Sequence, residues 1–317
     1  MTDVVSGARP NRTAVPRRAV HGVLLLDKPL GLSSNDALQK VKRQFNAEKA
    51  GHTGTLDPLA SGLLPICFGA ATKFSQVSLD ADKRYTATLH LGVTTTTADL
   101  EGEVVERKAA QIDRAALDAV LLRFTGQIDQ RPPMHSALKH EGRALYEYAR
   151  QGIEVERKAR SVAIHALEIL GWQDERLTLD VRCSKGTYMR TLAEEIGAAL
   201  GCGAHLAALR RTASGALAID DAITLDALEA LSDAERDARL LAPDVLLADW
   251  PVWRLPAHEA ARFLTGLRRR VNAPDAPRIR VYGPESHALL GSAHITAGEL
   301  IPDRLLSPIE IARLPTP

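Results

Sequence analysis

The sequence has few cysteines, no long apolar run and almost no net charge. Its three cysteines, Cys67, Cys183 and Cys202, are an odd number, lie far apart and form no CxxC pair. That pattern argues against a disulfide framework and against a zinc site, and it predicts a cytoplasmic protein. No apolar run reaches the roughly 18 residues of a membrane-spanning helix, so no membrane association is expected. The formal net charge of +1 excludes little, because basic residues can still gather on one surface.

Length and composition predict a globular protein of about two domains. The chain has 317 residues, of which 45% are hydrophobic and 25% are charged, as in ordinary globular proteins. Residues 1–18 carry four arginines but no apolar segment of the kind found in signal peptides, so a disordered basic tail is predicted there. The pair Trp250-Pro251 is the predicted boundary between a domain at 19–250 and a smaller one at 251–317.

Hydrophobic periodicity predicts the secondary structure of the larger domain. Residues 85–93 and 177–183 alternate between apolar and polar side chains, which is typical of strands with one buried face. Ser33 and Asp113 precede amphipathic segments and are predicted helix caps, and 221–249 is predicted to be a helix capped by Thr224. Because short strands and isolated helices follow one another without a βαβ order, we expect an α+β fold. Its sheet should be mixed, largely antiparallel, and flanked by helices and loops.

The segment from Gly51 to Gly62 has the most unusual composition, GHTGTLDPLASG. Its three glycines and Pro58 make a helix or a central strand unfavourable, so a shaped loop is predicted. Pro58 also disfavours the α conformation at Asp57, which places that carboxylate on extended backbone. A solvated Asp-Pro turn is the alternative on those two residues alone. The apolar residues that follow indicate instead a loop packed against a core.

Residues 131–160 have the composition of a nucleic-acid-binding insertion. Basic groups offset phosphate charge, and aromatic rings can stack on bases. Four acidic residues and the rings of Tyr146 and Tyr148 are interleaved with seven basic residues, namely Arg131, Lys139, Arg143, Arg150, Arg157, Lys158 and Arg160. Lys139, Arg143 and Arg150 are therefore predicted to contact RNA, with an ordinary charged surface loop as the alternative.

Several motifs, taken in order, resemble those of the TruB family of tRNA pseudouridine synthases. The resemblance covers residues 22–211 and includes the loop at 51–62. The other matching motifs are GVLLLDKPLG at 22–31, DKRY at 82–85, RPP at 131–133, SALK at 136–139, LYE at 145–147, CSKGTYMRT at 183–191, CGAHL at 202–206 and LRR at 209–211. Because many motifs occur together in one order, this resemblance is far more specific than a single Gly-His-Thr-Gly would be.

The resemblance implies a set of catalytic residues. Asp57 matches the catalytic aspartate of the family, and Arg190 matches the arginine that pairs with it. Tyr85 matches the ring that packs on the uracil and can take part in proton transfer. No redox step or energy source is needed for this isomerisation, so neither a cofactor nor a metal ion is expected.

The resemblance also implies residues that bind the substrate. Tyr188 and the backbone near Leu209 match positions that contact the target nucleotide. His52 matches a residue that helps to rearrange the RNA around the flipped base. Taken alone, His52 would be interpreted as a structural histidine of the loop.

The function implied is isomerisation of the uridine at tRNA position 55, in the T arm stem-loop, by base flipping and an aspartate nucleophile. The fold implied is the pseudouridine synthase fold followed by a small PUA-like, β-rich RNA-binding domain at 251–317. A monomer without an obligate protein partner is expected. The alternatives are a guide-RNA-dependent pseudouridine synthase and a non-catalytic tRNA-folding chaperone. A glycosidase would usually need a second carboxylate, and the sequence shows none paired with Asp57.

Overall fold

The protein folds around one large mixed sheet, described by a computed structural model over residues 16–136, 138–284 and 289–315. The strands of the larger domain are β1 (Gly22–Lys28), β2 (Ala50–His52), β3 (Ala60–Phe68), β4 (Lys83–Leu91), β5 (Val93–Thr95), β6 (Val104–Arg107), β7 (Gly126–Gln130), β8 (Lys139–His140), β9 (Arg143–Ala144), β10 (Arg160–Gln173), β11 (Arg176–Cys183), β12 (Ala204–Ser214), β13 (Leu217–Ala218) and β14 (Ile223–Thr224). Its helices are α1 (Ser34–Gln44), α2 (Ser75–Asp80), α3 (Arg114–Arg123), α4 (Leu145–Ala149), α5 (Met189–Ala199), α6 (Leu225–Ala230) and α7 (Asp233–Ala238).

The order of strands in this sheet is β14-β1-β3-β12-β4-β11-β10-β7. Two of these pairings, β1 with β14 and β3 with β12, are parallel, and the others are antiparallel. The predicted mixed, largely antiparallel sheet is therefore confirmed. Strands β4 and β12 lie at its centre, so the residues that they carry have neighbouring strands on both sides.

Apolar side chains pack on one face of the sheet in two clusters, and a third cluster covers the other face of β1 and β3. One cluster joins the alternating residues of β4 and β11 to α3 and α5. A second cluster packs α1 and α6 against β1 and β3. The two predicted helix caps are confirmed. Ser33 accepts a hydrogen bond from the backbone N–H of Asp36, and Asp113 accepts one from the backbone N–H of Ala116. This core fixes the loops at the sheet's rim in position.

The prediction of one long helix over 221–249 is wrong. Thr224 does cap a helix, but α6 ends at Ala230, and Leu231 adopts extended backbone. Ser232 then caps the separate helix α7 through a reciprocal capping box with Glu235. The serine favours a cap because its hydroxyl competes for backbone donors, and this local bonding interrupts the alanine- and leucine-rich run.

A second, five-stranded sheet follows Pro251 in the order β15-β17-β18-β19-β16. Its elements are β15 (Val252–Arg254), α8 (Ala257–Phe263), β16 (Arg269–Arg270), β17 (Ala276–Tyr282), β18 (Leu289–Thr296), β19 (Glu299–Leu305) and α9 (Pro308–Ile311). Tyr282, Leu289 and Leu306 share an apolar cluster with Val23 and Leu25 of β1, so this β-rich domain packs directly on the larger one.

The predicted tail at 1–18 lies largely outside the described residues. At its end, Arg18 donates hydrogen bonds to both carboxylate oxygens of Asp237, at 2.8 and 2.9 Å, and its Nε donates to the carbonyl of Phe45. Arg18 is therefore attached to the larger domain.

Candidate active site

The loop that carries Asp57 is held by glycine geometry and by a buried serine. Gly54 and Gly62 have φ values of 88° and 103°, which strongly favour glycine. At Gly62 a Cβ atom would lie 2.3 Å from the carbonyl oxygen of Arg211, so no side chain fits there. The hydroxyl of Ser34 bonds both to the N–H and to the carbonyl of Leu56. These contacts fix the backbone next to Asp57, whose side chain remains 42% exposed.

Arg190 is the cationic partner of Asp57. It is the second residue of α5, and its side chain is only 8% exposed. Its Nη2 lies 2.9 Å from Oδ2 of Asp57 and donates at 2.7 Å to the carbonyl oxygen of His135. The buried guanidinium therefore connects the loop at 51–62 to the start of the insertion at 131–160.

A second carboxylate, Asp99, lies on the other side of Arg190. Its Oδ2 is 3.6 Å from Nε of Arg190, and its side chain is 3% exposed. The hydroxyl of Thr97 and the backbone N–H of Glu101 both donate to Oδ1 of Asp99. We call Asp57, Arg190 and Asp99 the charge network. Because Asp99 is buried and already bonded, it can orient Arg190 but has no free approach to a substrate.

The charge network borders a cavity of about 560 Å³. Among the predicted site residues, Asp57, Tyr85, Tyr188, Arg190 and Leu209 line this cavity. Burial raises the pKa of the Tyr85 phenol and that of Tyr188, which keeps both hydroxyls protonated. A cavity with one carboxylate, two aromatic rings and apolar walls can hold a flat base beside an anionic group.

His52 lies apart from these residues. It ends β2, where it pairs with Ile66 of β3, and it is not among the described residues that line the cavity. Burial, followed by the charge of Arg211, lowers the pKa of His52. The imidazole is therefore neutral near pH 7.

Arg211 is a further charged residue of the cavity wall, and it is 1% exposed. Its Nε donates at 2.7 Å to the carbonyl of Leu63, and its Nη2 donates at 3.1 Å to that of Gly54. These two acceptors lie on either side of Asp57 in the chain. Arg211 therefore connects the backbone on both sides of Asp57 within this loop.

The insertion forms the opposite wall of the cavity and a basic outer surface. His135, Ser136, Leu138 and Tyr146 line the cavity. The three residues that were predicted to contact RNA all lie exposed on this segment, namely Lys139, Arg143 and Arg150. Arg143 lies over the ring of Tyr148 at 4.9 Å, and Arg150 lies over that of Tyr146 at 5.3 Å.

Comparisons with known proteins identify the family of the chain. The chain matches the models of the TruB family pseudouridylate synthase N-terminal domain at 42–189, the tRNA pseudouridylate synthase B C-terminal domain at 190–249, and the C-terminal domain of pseudouridine synthase II TruB at 251–306. A tRNA pseudouridine synthase B from Verminephrobacter eiseniae is 59% identical over 311 residues, which cover 96% of this chain and 94% of that relative. The chain belongs to the TruB family. A relative of the same name from Cupriavidus pinatubonensis is 57% identical over 316 residues, or 96% of this chain and 99% of the relative.

Solved structures confirm the fold of this TruB family member. A Cbf5-Nop10-Gar1 complex matches with a TM-score of 0.71 and 25% identity, over 92% of this chain and 86% of that chain. A structure of an H/ACA RNP bound to a substrate RNA containing 2′-deoxyuridine matches with a TM-score of 0.70 and 23% identity, over 91% and 86%. The predicted pseudouridine synthase fold is therefore confirmed.

Asp99 and Arg211 are residues of the site that the sequence did not predict. Asp99 lies in an acidic, turn-rich segment where nothing distinguishes it from Glu101 or Glu103. Arg211 is part of a TruB motif, but its neighbour Arg210 looks the same in sequence. Only the period of the strand could have separated them, because consecutive residues of β12 point to opposite faces.

Two further observations on the described residues concern metal ions and membranes. No group of three or more histidine, cysteine or acidic side chains in the described ranges is arranged to hold a metal ion. In the same part of the chain, no helix is long and apolar enough to cross a membrane.

Proposed function

We propose that this TruB family member isomerises the uridine at position 55 of the tRNA T loop to pseudouridine, with Asp57 as the catalytic carboxylate. The observation that carries the proposal is the 2.9 Å pair of Asp57 and Arg190 at the edge of the 560 Å³ cavity. The relatives at 57% and 59% identity are named tRNA pseudouridine synthase B, which supports tRNA as the substrate.

The target uridine must leave its stack in the T loop to reach Asp57. Extruding a base costs a few kcal/mol, and flipped bases are typically held by stacking and by edge hydrogen bonds. In this chain Tyr85 provides the ring that packs on the uracil. Tyr188 and the backbone near Leu209 line the same cavity and provide contacts to the base edge.

The reaction breaks the bond between N1 and C1′, turns the uracil, and joins C5 to C1′. Asp57 acts either by adding to C1′ or by removing the C2′ proton, and both routes require an anionic carboxylate. Arg190 lies on one side of that carboxylate, and its Nη2, 2.9 Å from Oδ2, orients it through a charge-assisted hydrogen bond. The proton that leaves C5 and the proton that N1 gains balance, so the overall change is an isomerisation.

Arg190 is itself held in one orientation. Asp99 approaches its Nε, and the carbonyl of His135 accepts from its Nη2. Because a guanidinium offers donors in a rigid planar fork, these contacts also fix the side that faces Asp57. A glycosidase would usually need an accessible second carboxylate. Asp99 does not fit that role, because its side chain is only 3% exposed and lies beside Arg190.

Binding of the tRNA outside the cavity is assigned to the basic surface of the insertion and to the loop around His52. Lys139, Arg143 and Arg150 are exposed and can contact backbone phosphates. The PUA-like domain at 251–317 adds further arginines, including Arg268, Arg269 and Arg270. We propose that the enzyme acts as a monomer, without a guide RNA or an obligate protein partner.

The decisive experiment compares the wild type with Asp57→Asn on an unmodified T arm stem-loop. The stem-loop carries its only labelled uridine at position 55, and the buffer contains neither metal nor nucleotide. We expect wild-type conversion and no conversion by the variant, while both proteins bind the RNA with the same Kd. A stem-loop with the label at position 54 is the matched control and should remain unconverted.

Other outcomes would identify the alternatives. Binding without conversion by either protein would support an RNA chaperone. Conversion that appears only after a guide RNA and further proteins are added would support a guide-RNA-dependent synthase. Release of free uracil would indicate glycoside hydrolysis.

A further inference from the structure

Arg211 is a buried cation with no carboxylate partner. It is 1% exposed, and within the described residues no acidic group lies within 4.0 Å of its guanidinium. Arg190, by comparison, has Asp57 and Asp99 beside it. Burying a charge is costly unless the charge is paired, so an unpaired guanidinium in a cavity wall points to an anionic group that arrives with the substrate.

The known hydrogen bonds of Arg211 use only part of its capacity. Nε donates to Leu63 and Nη2 donates to Gly54, whereas a guanidinium has five N–H groups. A Cβ atom on Gly54 would lie 3.2 Å from Nη1, so the glycine leaves room around this edge of the side chain. Arg211 also interacts with the phenol of Tyr85, so the donors that remain lie beside that ring, in the wall of the same cavity.

The position of Arg211 in the sheet places it beside Tyr85. Arg211 of β12 pairs directly with Tyr85 of β4, and opposite residues of antiparallel strands project from the same face. Tyr85 is the ring on which the uracil is proposed to pack. Asp57, in turn, pairs with Arg190. Arg190 therefore lies beside the carboxylate, and Arg211 lies beside the ring on which the base is proposed to pack.

The surroundings of Arg211 are electropositive. Lys28 is fully buried and Lys83 is 7% exposed. Burial, with a smaller effect of the Arg211 charge, lowers the pKa of each lysine to about 8. Positive charge is thus concentrated behind the catalytic loop, where a negative charge would be stabilised.

We propose that Arg211 is a catalytic residue that stabilises the negative charge developed on the uracil when its glycosidic bond breaks. In that step the electron pair of the N1–C1′ bond stays with the base, and the charge is delocalised over N1 and the two carbonyl oxygens. The electron-poor C1′ is left to the Asp57 side. When C5 joins C1′, the electron pair returns to form the new bond, and the C5 proton is lost as N1 is protonated.

This assignment rests on the proposed position of uridine beside Asp57. It adds a second electrostatic role to the same site, which is to stabilise negative charge on the base. Preorganised donors aimed at developing charge are worth most in a water-excluded cavity. The alternative role for Arg211 is to bind a phosphate of the RNA. It is less favoured here because Arg211 is 1% exposed and bonded to the carbonyls of Leu63 and Gly54, whereas the arginines of the insertion are exposed.

The test uses Arg211→Lys and Arg211→Gln on two stem-loops, one with uridine and one with 5-fluorouridine at position 55. Fluorine withdraws electrons and stabilises the departing base as an anion, so cleavage then depends less on the arginine. On uridine RNA we expect the single-turnover rate to fall by about 10²- to 10³-fold, as for the loss of one donor to a developing oxyanion. On 5-fluorouridine RNA the loss should be at least about tenfold smaller. Consumption of the target nucleotide is followed by digestion and chromatography.

Arg210→Gln is the matched control. Arg210 precedes Arg211 on β12, pairs with Asp27 at 2.7 Å and is 43% exposed. Any loss it causes should be the same on both RNAs. If Arg211→Gln does not fold, as judged by thermal unfolding, Arg211→Lys carries the test because it keeps the charge but not the planar fork.

The possible results separate the explanations. An equal loss on both RNAs would show that Arg211 only holds the loop, and a loss confined to Kd would show a phosphate contact; either would overturn the inference. Failure of the wild type to consume uridine would instead contradict the proposed function.

Discussion

The charge network and the insertion at 131–160 both use arginines, but they hold them in different ways. Arg190 is 8% exposed and lies between two carboxylates and a carbonyl. Arg143 and Arg150 are exposed and rest on tyrosine rings of their own segment, and Arg143 also lies 3.6 Å from the exposed carboxylate of Glu147. The first arrangement fixes a charge in one place, and the second leaves a charge available to solvent or phosphate.

This difference indicates a division of labour. Buried, oriented charges act on the reacting atoms, because their interactions are strong in a low-dielectric cavity. Exposed charges act mainly on association, and salt screens them. Substitutions in the charge network should therefore change the rate of conversion, and substitutions on the insertion should change affinity.

Arg190→Lys is expected to give the largest effect within this comparison. A lysine keeps the charge but cannot donate at once to Asp57, Asp99 and His135 in the planar geometry of a guanidinium. We expect the single-turnover rate to fall by roughly 10²- to 10³-fold, the range for a lost preorganised donor, with Kd unchanged. Rapid-quench assays at saturating enzyme measure the rate, and filter binding measures Kd. A change mainly in Kd would contradict the proposed division.

Asp99→Asn should have a smaller effect in the same direction. The amide keeps the shape of the side chain and can still accept from Thr97 and Glu101, but it no longer compensates the charge of Arg190. Outer partners that orient a functional group typically contribute 10- to 100-fold, so we expect a rate loss in that range. The same rapid-quench assay applies. A loss as large as that of Arg190→Lys would mean that Asp99 does more than orient the arginine.

The sequence predicted the residues that belong to local patterns. Glycines and Pro58 predicted the loop around Asp57, and alternation predicted the strand that begins at Tyr85, whereas the roles of both residues were implied by the resemblance to the TruB family. Asp99 escaped because its contact with Arg190 spans 91 positions of sequence and depends on how the loop after β5 returns to the sheet. No local spacing encodes such a contact.

Local sequence also predicted only part of the secondary structure. Periodicity predicted β4 and β11 because their alternation reflects a buried face. The long helix predicted at 221–249 was wrong, since Leu231 and Ser232 end one helix and begin another. Composition indicates helical residues, but capping contacts decide where a helix stops.

On the insertion, a double substitution of Arg143→Glu and Arg150→Glu should weaken tRNA binding and leave the rate at saturating enzyme unchanged. Each lost phosphate contact lowers the slope of log K against log salt by about 0.7 to 0.9, so two contacts should lower it by roughly 1.4 to 1.8. Titrations between 50 and 200 mM salt measure the slope. The matched control, Arg114→Glu with Arg123→Glu, makes the same charge change on exposed positions of α3. An equal effect of the control would show that only net charge matters.

A substitution outside both regions should change stability alone, and Tyr282→Phe provides this test at the contact between the two domains. The Tyr282 hydroxyl donates at 2.6 Å to Asp244, and burial and this carboxylate raise its pKa to about 12. Losing the hydrogen bond should lower the free energy of unfolding by about 0.5 to 1.5 kcal/mol near pH 7, with the conversion rate unchanged.

Since the unfolded phenol ionises near pH 10, the folded state binds more protons between about pH 10 and 12. The stability of the wild type should therefore fall more steeply with pH in that window than that of the variant, and the advantage of tyrosine should shrink. Urea unfolding at pH 7 and at pH 10.5 measures both effects. A rate loss in Tyr282→Phe would instead show that the domain contact reaches the charge network.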